Sequence, residues 1–218
     1  MDEAKFQGVP RIGLTGGIAS GKSEVAALLR VHGTGPAIDV DRICRDLLLP
    51  DASAWRQLMT IFGPGYFNRD RTVARAKLRR AIFRDPLLRQ RLDEIMHPLA
   101  REVLLQRLAV AKEPGGIEQG GIVVVEVPLL YEAGWQELFD RVVVVYADHR
   151  TALERLMRRD GCGPREAEAA LAGQWPLKEK AMLADHVIDN SGGRSRTILQ
   201  VRRLLDLLTS PARGGKRP

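Results

Sequence analysis

Short β-branched runs alternate with stretches of helical periodicity along this chain of 218 residues. The runs fall at Arg11–Thr15, Ala37–Asp39, Ile122–Val127 and Val142–Ala147, with a weaker one at His186–Ile188. Near-continuous apolar strands separated by helices predict an α/β fold, a parallel sheet with helices on both faces. Such sheets gather ligands at the C-terminal edge of their strands, and each run ends there in a polar or Gly-bearing turn. Between the second and third runs, roughly 80 residues exceed what one crossover needs. Their apolar positions recur at helical spacing: Ile43, Leu47 and Leu48, then Trp55, Leu58 and Met59, then Leu78 and Ile82, then Leu99, Val103 and Leu108. The pattern predicts a core over 1–41 and 122–210 and a helical insertion over 42–121 placed to clasp a substrate. Glu113–Gly121 returns the chain to the sheet, a helical lid lies near 150–180, and 211–218 is a frayed tail. The Met and aromatic positions of the insertion sit at core spacing, which favours packing over ligand contact.

With 44% hydrophobic residues the chain can bury a substantial core. Its two cysteines, Cys44 and Cys162, have no neighbours at metal-ligand spacing, so neither a disulfide framework nor a zinc site is expected, and a cytoplasmic setting fits. No apolar run approaches the roughly 18 residues that span a bilayer, so no membrane role is expected. The net charge of +7 invites a nucleic-acid reading. Much of the excess, however, lies between Arg69 and Arg91, nine Lys/Arg against two Asp, without an aromatic-basic patch on which bases stack. A solvated helix face or a site for a small phosphorylated ligand accounts for it better, and no nucleic-acid partner is expected.

The chemistry concentrates at Gly16-Gly17-Ile18-Ala19-Ser20-Gly21-Lys22-Ser23, which completes G-x-x-x-x-G-K-S between a strand and a helix. Glycines let the backbone curl with its N–H groups inward, and the positive end of the next helix adds to their pull on a polyphosphate. In that pattern Lys22 neutralises the β- and γ-phosphates and Ser23 ligates Mg²⁺. Asp39-Val40-Asp41 follows the second strand. Either carboxylate can orient an alcohol's proton or hold Mg²⁺, and either can instead cap the helix that follows. Glu126 closes the third strand, facing metal or substrate or pairing with a cation. Arg155, Arg158 and Arg159 recur at helical spacing before the turn Asp160–Pro164, fit either for an arginine lid over ATP or for an exposed helix face. Asn190, after the last run, can border adenine; His97 can serve a substrate or simply cap or pack.

Together these segments resemble the dephospho-CoA kinase family from Ile12 to about Gly192. The likeness is carried by the phosphate-loop sequence from Leu14 to Ser23, by Ile38–Asp41, His97-Pro98-Leu99 and Val127–Glu132, and by Arg155 with Arg159-Asp160, Gln174 and Val187–Gly192. The resemblance implies a nucleoside-kinase-like core, a helical CoA-binding subdomain and a lid. It also implies transfer of the ATP γ-phosphate to the ribose 3′-hydroxyl of 3′-dephospho-CoA. Carried onto this chain, Gly17, Ile18, Ala19, Ser20, Gly21, Lys22, Ser23 and Glu24 bind ATP, with Asn190 near adenine. Asp41, Lys22, Arg155 and Arg159 act in catalysis, Ser23 and Asp41 hold Mg²⁺, and Asp39, His97, Glu126 and Leu129 face the acceptor. Three positions depart from the family. Ala19 replaces a Gly and demands negative φ if the loop is to be unstrained, Glu24 replaces a small hydroxyl residue, and Val40 replaces Ala. A kinase for a nucleoside monophosphate or another small alcohol shares most of these features, and a nucleic-acid-binding ATPase shares the loop alone.

Overall fold

A computed structural model describes residues 9–33, 37–111 and 121–209. Five strands, β1 (Arg11–Gly16), β2 (Ile38–Asp39), β3 (Val123–Glu126), β4 (Arg141–Tyr146) and β5 (His186–Asp189), form one sheet in the order β2-β3-β1-β4-β5. The pairings of β1 with β3 and β4, and of β4 with β5, are parallel, with Leu14 opposite both Glu126 and Val143. All five expected runs contain strands. Residues 113–120 of the expected link Glu113–Gly121, and the expected tail at 211–218, lie outside the described residues.

Side chains alternate across the sheet because successive Cβ atoms point to opposite faces. Ile12, Leu14, Val124, Val143, Val145 and Ile188 meet Val25, Leu28 and Leu29 of α1 (Lys22–His32) and Val201, Leu204 and Leu205 of α9 (Arg194–Thr209) in one buried cluster. Gly13 faces the other way, where Phe139 and Leu130 press so close that a methyl group would collide with both. At the start of β1 the Arg11 side chain grips Asp140 twice, Nε to Oδ2 at 3.1 Å and Nη2 to Oδ1 at 2.9 Å. Those hydrogen bonds raise the pKa of the Arg11 guanidinium.

The chain divides into two compact units, Asp39–Val110 and the sheet-bearing remainder. The helical unit comprises α2 (Val40–Leu47), α3 (Ser53–Phe62), α4 (Arg75–Arg84) and α5 (Pro86–Val110). Trp55, Leu58, Val73, Leu78, Ile95 and Met96 form its buried centre, so Trp55 and Met96 are core, and Met59 packs half-buried against them. Trp55 also donates from Nε1 to the carbonyl of Arg71 at 2.6 Å, and the Arg71 guanidinium lies over the indole ring. Pro98 sits inside α5 and cannot donate to the carbonyl four residues back, which leaves that turn of the helix one bond short. Back in the sheet-bearing unit, α6 (His149–Asp160) ends on left-handed Gly161 and is followed by α7 (Pro164–Ala172) and α8 (Leu177–Leu183). Gly161 lets the last turn close without a Cβ penalty, and Pro164 starts the next helix where no N–H is needed.

Candidate active site

The loop from Gly16 to Gly21 joins β1 to α1, and within it the Ser20 amide closes onto the Gly17 carbonyl at 3.2 Å. Gly21, at φ 87°, is the residue before α1, and no side chain caps the helix. The first-turn amides of α1 therefore keep their pull on an anion. Lys22 and Ser23 open the helix, with Lys22 half-buried and Ser23 exposed. A Cβ on Gly21 would run into the Asn190 amide, so glycine is required both for the backbone turn and for room. Gly16 is required in a second way, because a Cβ there would lie 2.6 Å from Ser20 Oγ.

Ala19 overturns one expectation: its φ is +58°, in the left-handed region rather than the negative φ that an unstrained alanine needs. The loop passes through left-handed backbone at both Ala19 and Gly21, and the methyl group at Ala19 costs about 1 kcal/mol relative to glycine. The surrounding network is strong enough to hold that strain.

Asn190 is its centre. The Asn190 side chain is buried, donating from Nδ2 to the Ser20 carbonyl at 3.0 Å and accepting from Thr197 Oγ1 at 2.8 Å. Its backbone N–H donates to the Tyr146 carbonyl at 2.7 Å, and its carbonyl accepts from Arg155 Nη2 at 2.9 Å. Asn190 thus braces the loop. Arg155 also reaches the Ser20 carbonyl from Nη1 at 3.5 Å. Arg159, one turn on, instead forks onto its neighbour Asp160 at 2.7 and 3.1 Å, so the two arginines do not point at one target. The Asp160 hydrogen bonds raise the Arg159 pKa. Glu24 lies 3.6 Å from Arg194 Nε, and Glu126 is half-buried at the end of β3 opposite Leu14. Leu129 belongs to the turn after β3, its carbonyl accepting from the Ala133 amide at 2.9 Å.

Within the helical unit the Asp39–Asp41 question has a geometric answer. Asp39 is the N-cap of α2, accepting from the Arg42 amide at 3.2 Å, and its other oxygen pairs with Arg45 at 3.3 Å. The capping alternative therefore falls to Asp39, and both its oxygens are engaged. Asp41 stands in the first turn of α2, exposed. Burial, followed by the negative charges of Asp41 and Asp39, pushes the Cys44 thiol up to about 11. His97, in mid-α5 before Pro98, has Nε2 3.9 Å from Asp93 Oδ1. The basic stretch lies open: Arg69, Arg75, Arg79, Arg80, Arg84, Arg89 and Arg91 are all exposed.

The dephospho-CoA kinase family model matches residues 11–195. A dephospho-CoA kinase of Geobacillus kaustophilus is 42% identical over 89% of this chain and 94% of its own length. That of Symbiobacterium thermophilum is 43% identical over 87% and 77%. The chain belongs to the dephospho-CoA kinase family. A solved Thermus thermophilus structure superposes with a TM-score of 0.79 at 29% identity, over 94% of this chain and 100% of that one. The chain is thus an ATP-dependent kinase on a phosphate-loop fold, and dephospho-CoA kinase activity, the final step of coenzyme A synthesis, goes with the family. Among the described residues no helix is long and apolar enough to cross a membrane.

Gln174 and Glu132, which carry part of the resemblance, lie in one set with Lys180, which no sequence signal marks. Gln174 Oε1 accepts from the Ile18 amide at 2.8 Å, and Lys180, fully buried, places Nζ 2.5 Å from Glu132 Oε1. Lys180 stands in the charge run Lys178-Glu179-Lys180, which reads as a solvated face. Its burial shows only once α8 is set against the turn that holds Glu132.

Proposed function

We propose that the segment from Gly17 to Glu24, through its uncommitted amides and Lys22, holds the ATP phosphates while Asp41 orients the ribose 3′-hydroxyl of 3′-dephospho-CoA for attack on the γ-phosphorus. The transferred group breaks its bond to the β-phosphate oxygen, ADP leaves, and the acceptor hydroxyl proton is taken toward the Asp41 carboxylate. Little covalent work falls to the protein in such a step. Positioning and fixed charge supply most of the rate. The observation that carries the reading is the uncapped start of α1 behind left-handed Gly21, with Lys22 as its first residue. Arg155, tied to the loop carbonyl and to Asn190, keeps a positive charge beside the phosphates. Arg159 joins it only by leaving Asp160. Exposed cations between Arg69 and Arg91 attract the acceptor's phosphates, and the setting is the cytoplasm.

Mg²⁺ fits the donors present. Ser23 offers an exposed hydroxyl at the head of α1, and no three His, Cys, Asp or Glu side chains converge among the described residues. Mg²⁺ in kinases takes most of its ligands from nucleotide phosphates and water, so one or two protein oxygens suffice. Ser23, with Asp41 as second candidate, would hold it, and when bound it neutralises phosphate charge.

Turnover of purified protein with ATP and 3′-dephospho-CoA tests the acceptor, with nucleoside monophosphates run in parallel. Asp41→Asn should lower kcat by about a thousandfold and shift the ATP KM by no more than about threefold. Near-normal kcat in that variant would remove Asp41 from the chemistry.

A further inference from the structure

The strap between α7 and α8 is fastened to the phosphate loop at one end and to a buried ion pair at the other. Gln174 Oε1 takes the Ile18 amide at 2.8 Å. The next residue, Trp175, donates its amide to Glu132 Oε1 at 3.3 Å and sets its ring edge-on to Tyr131, 6.0 Å between centroids. Leu177 lies against Gly17. Lys180, 0% exposed, donates to the same Glu132 oxygen at 2.5 Å. Glu132 Oε2 and Tyr131 Oη are buried without a hydrogen-bond partner among the described residues, so this pocket is not optimised for stability alone. A buried ion pair is weak evidence for stability and better evidence for a fixed register.

An amide N–H has one hydrogen to give, so Gln174 and a phosphate oxygen exclude each other at Ile18. We propose that Gln174 is a positioning residue that competes with polyphosphate for the Ile18 amide, held at its post by the Glu132–Lys180 pair. The inference rests on the phosphate-loop reading above. A neutral carboxamide oxygen is the weaker acceptor, so the anion displaces it, and nucleotide binding thereby releases the strap. Gln174 sets the shape of the donor nest beforehand and limits how tightly phosphate binds.

Calorimetric titration with inorganic tripolyphosphate tests this on the full chain, with thermal melts confirming that each variant is folded. Gln174→Ala should bind about three- to tenfold tighter than the unaltered protein, because the competitor is gone. Gln174→Glu should bind at least about tenfold weaker, because a carboxylate is a stronger competitor and repels the anion. The paired replacement Glu132→Gln with Lys180→Met, which leaves no lone buried charge, should tighten binding in the unaltered background and change nothing when added to Gln174→Ala. Opposite signs for Ala and Glu at position 174 at equal melting temperature are not what a purely structural residue gives. Weaker or unchanged binding by Gln174→Ala would overturn the competition. Independent effects of the paired and Gln174 variants would overturn the anchoring. Should the unaltered protein and Lys22→Ala both fail to bind tripolyphosphate, the phosphate-loop reading itself falls and takes the inference with it.

Discussion

Thr15, Ser20, Asp140, Lys180, Asn190 and Thr197 are buried polar side chains, and every one belongs to the sheet-bearing unit. Among the described residues of Asp39–Val110 the buried side chains are apolar, while Arg75, Arg79, Arg80 and Arg84 of α4 are exposed. Under the proposed function the two units would handle charged ligands by different physics. In the first, Asn190 and Arg155 tie the Ser20 carbonyl of the loop in place by hydrogen bonds, so little reorganisation is left for the moment of reaction. In the second, mobile cations in water raise the local concentration of an anion without defining its pose. A mutation in the first should disturb stability and nucleotide together. One in the second should touch the acceptor alone, and salt should mask it.

Asn190→Ala is the strongest attack on the first half of that contrast. It removes the bonds to the Ser20 carbonyl and the Thr197 hydroxyl and leaves both groups buried. The expected loss is about 2–3 kcal/mol of unfolding free energy, together with a rise of about tenfold in ATP KM. Thermal melts and initial rates check it. A fall in melting temperature with ATP KM unmoved would separate the brace from the loop's function.

Reversing Arg79 and Arg80 to Glu probes the second half, because neither makes an ion pair among the described residues. The KM for 3′-dephospho-CoA should rise about five- to tenfold at low ionic strength and most of that difference should vanish near 1 M salt, where the Debye length is about 3 Å. ATP KM should hold. A salt-independent loss would mean that these side chains make fitted contacts rather than a diffuse field.

The same contrast explains what the sequence makes legible. The strands announce themselves because Val123-Val124-Val125 and Val142–Val145 are continuous apolar runs buried on both faces. The loop announces itself because Gly16, Gly21, Lys22 and Ser23 are required by local backbone and charge, within a few residues of one another. The exposed arginines of α4 are legible as well, since solvated charge needs no partner. Asn190 and Lys180 are harder. Each is defined by a partner far along the chain, Ser20 for one and Glu132 for the other, and pairings at such separations leave no periodicity to read. Ala19 misleads for a related reason: propensity forbids its conformation, and a network closed by tertiary contacts enforces it.

Ala19→Gly measures that enforcement. Relief of the left-handed methyl, about 1 kcal/mol, less the extra freedom glycine gives the unfolded chain, about 0.4–1 kcal/mol, should leave a gain of at most about 0.6 kcal/mol. For a chain of this size that is a rise of at most about 2 °C in melting temperature. If the rigid half of the comparison is right, kcat should stay within about twofold, because the loop's amides already point where they must. A lower melting temperature would place Ala19 in ordinary backbone.

The smallest effect expected is at Cys44, and it bears on how weakly the exposed charges of the helical unit couple to their surroundings. Burial and the nearby carboxylates lift its pKa from 9.0 to about 11. The folded state therefore keeps its proton where an unfolded thiol has lost it. The stabilisation is complete below pH 9 and is lost as pH rises through about 11. At pH 8 the thiolate is scarce, and alkylation by iodoacetamide should run about tenfold slower than for an ordinary thiol, after allowing for the greater nucleophilicity of a less acidic thiolate. Asp41→Asn removes one negative charge beside it but leaves the burial, which is the larger cause. Its pKa should then drop by a few tenths and the alkylation rate, read by peptide mass spectrometry, should rise no more than about twofold. A tenfold acceleration would show that Asp41 holds α2 together, and the losses in kcat proposed for that variant would then be structural rather than chemical.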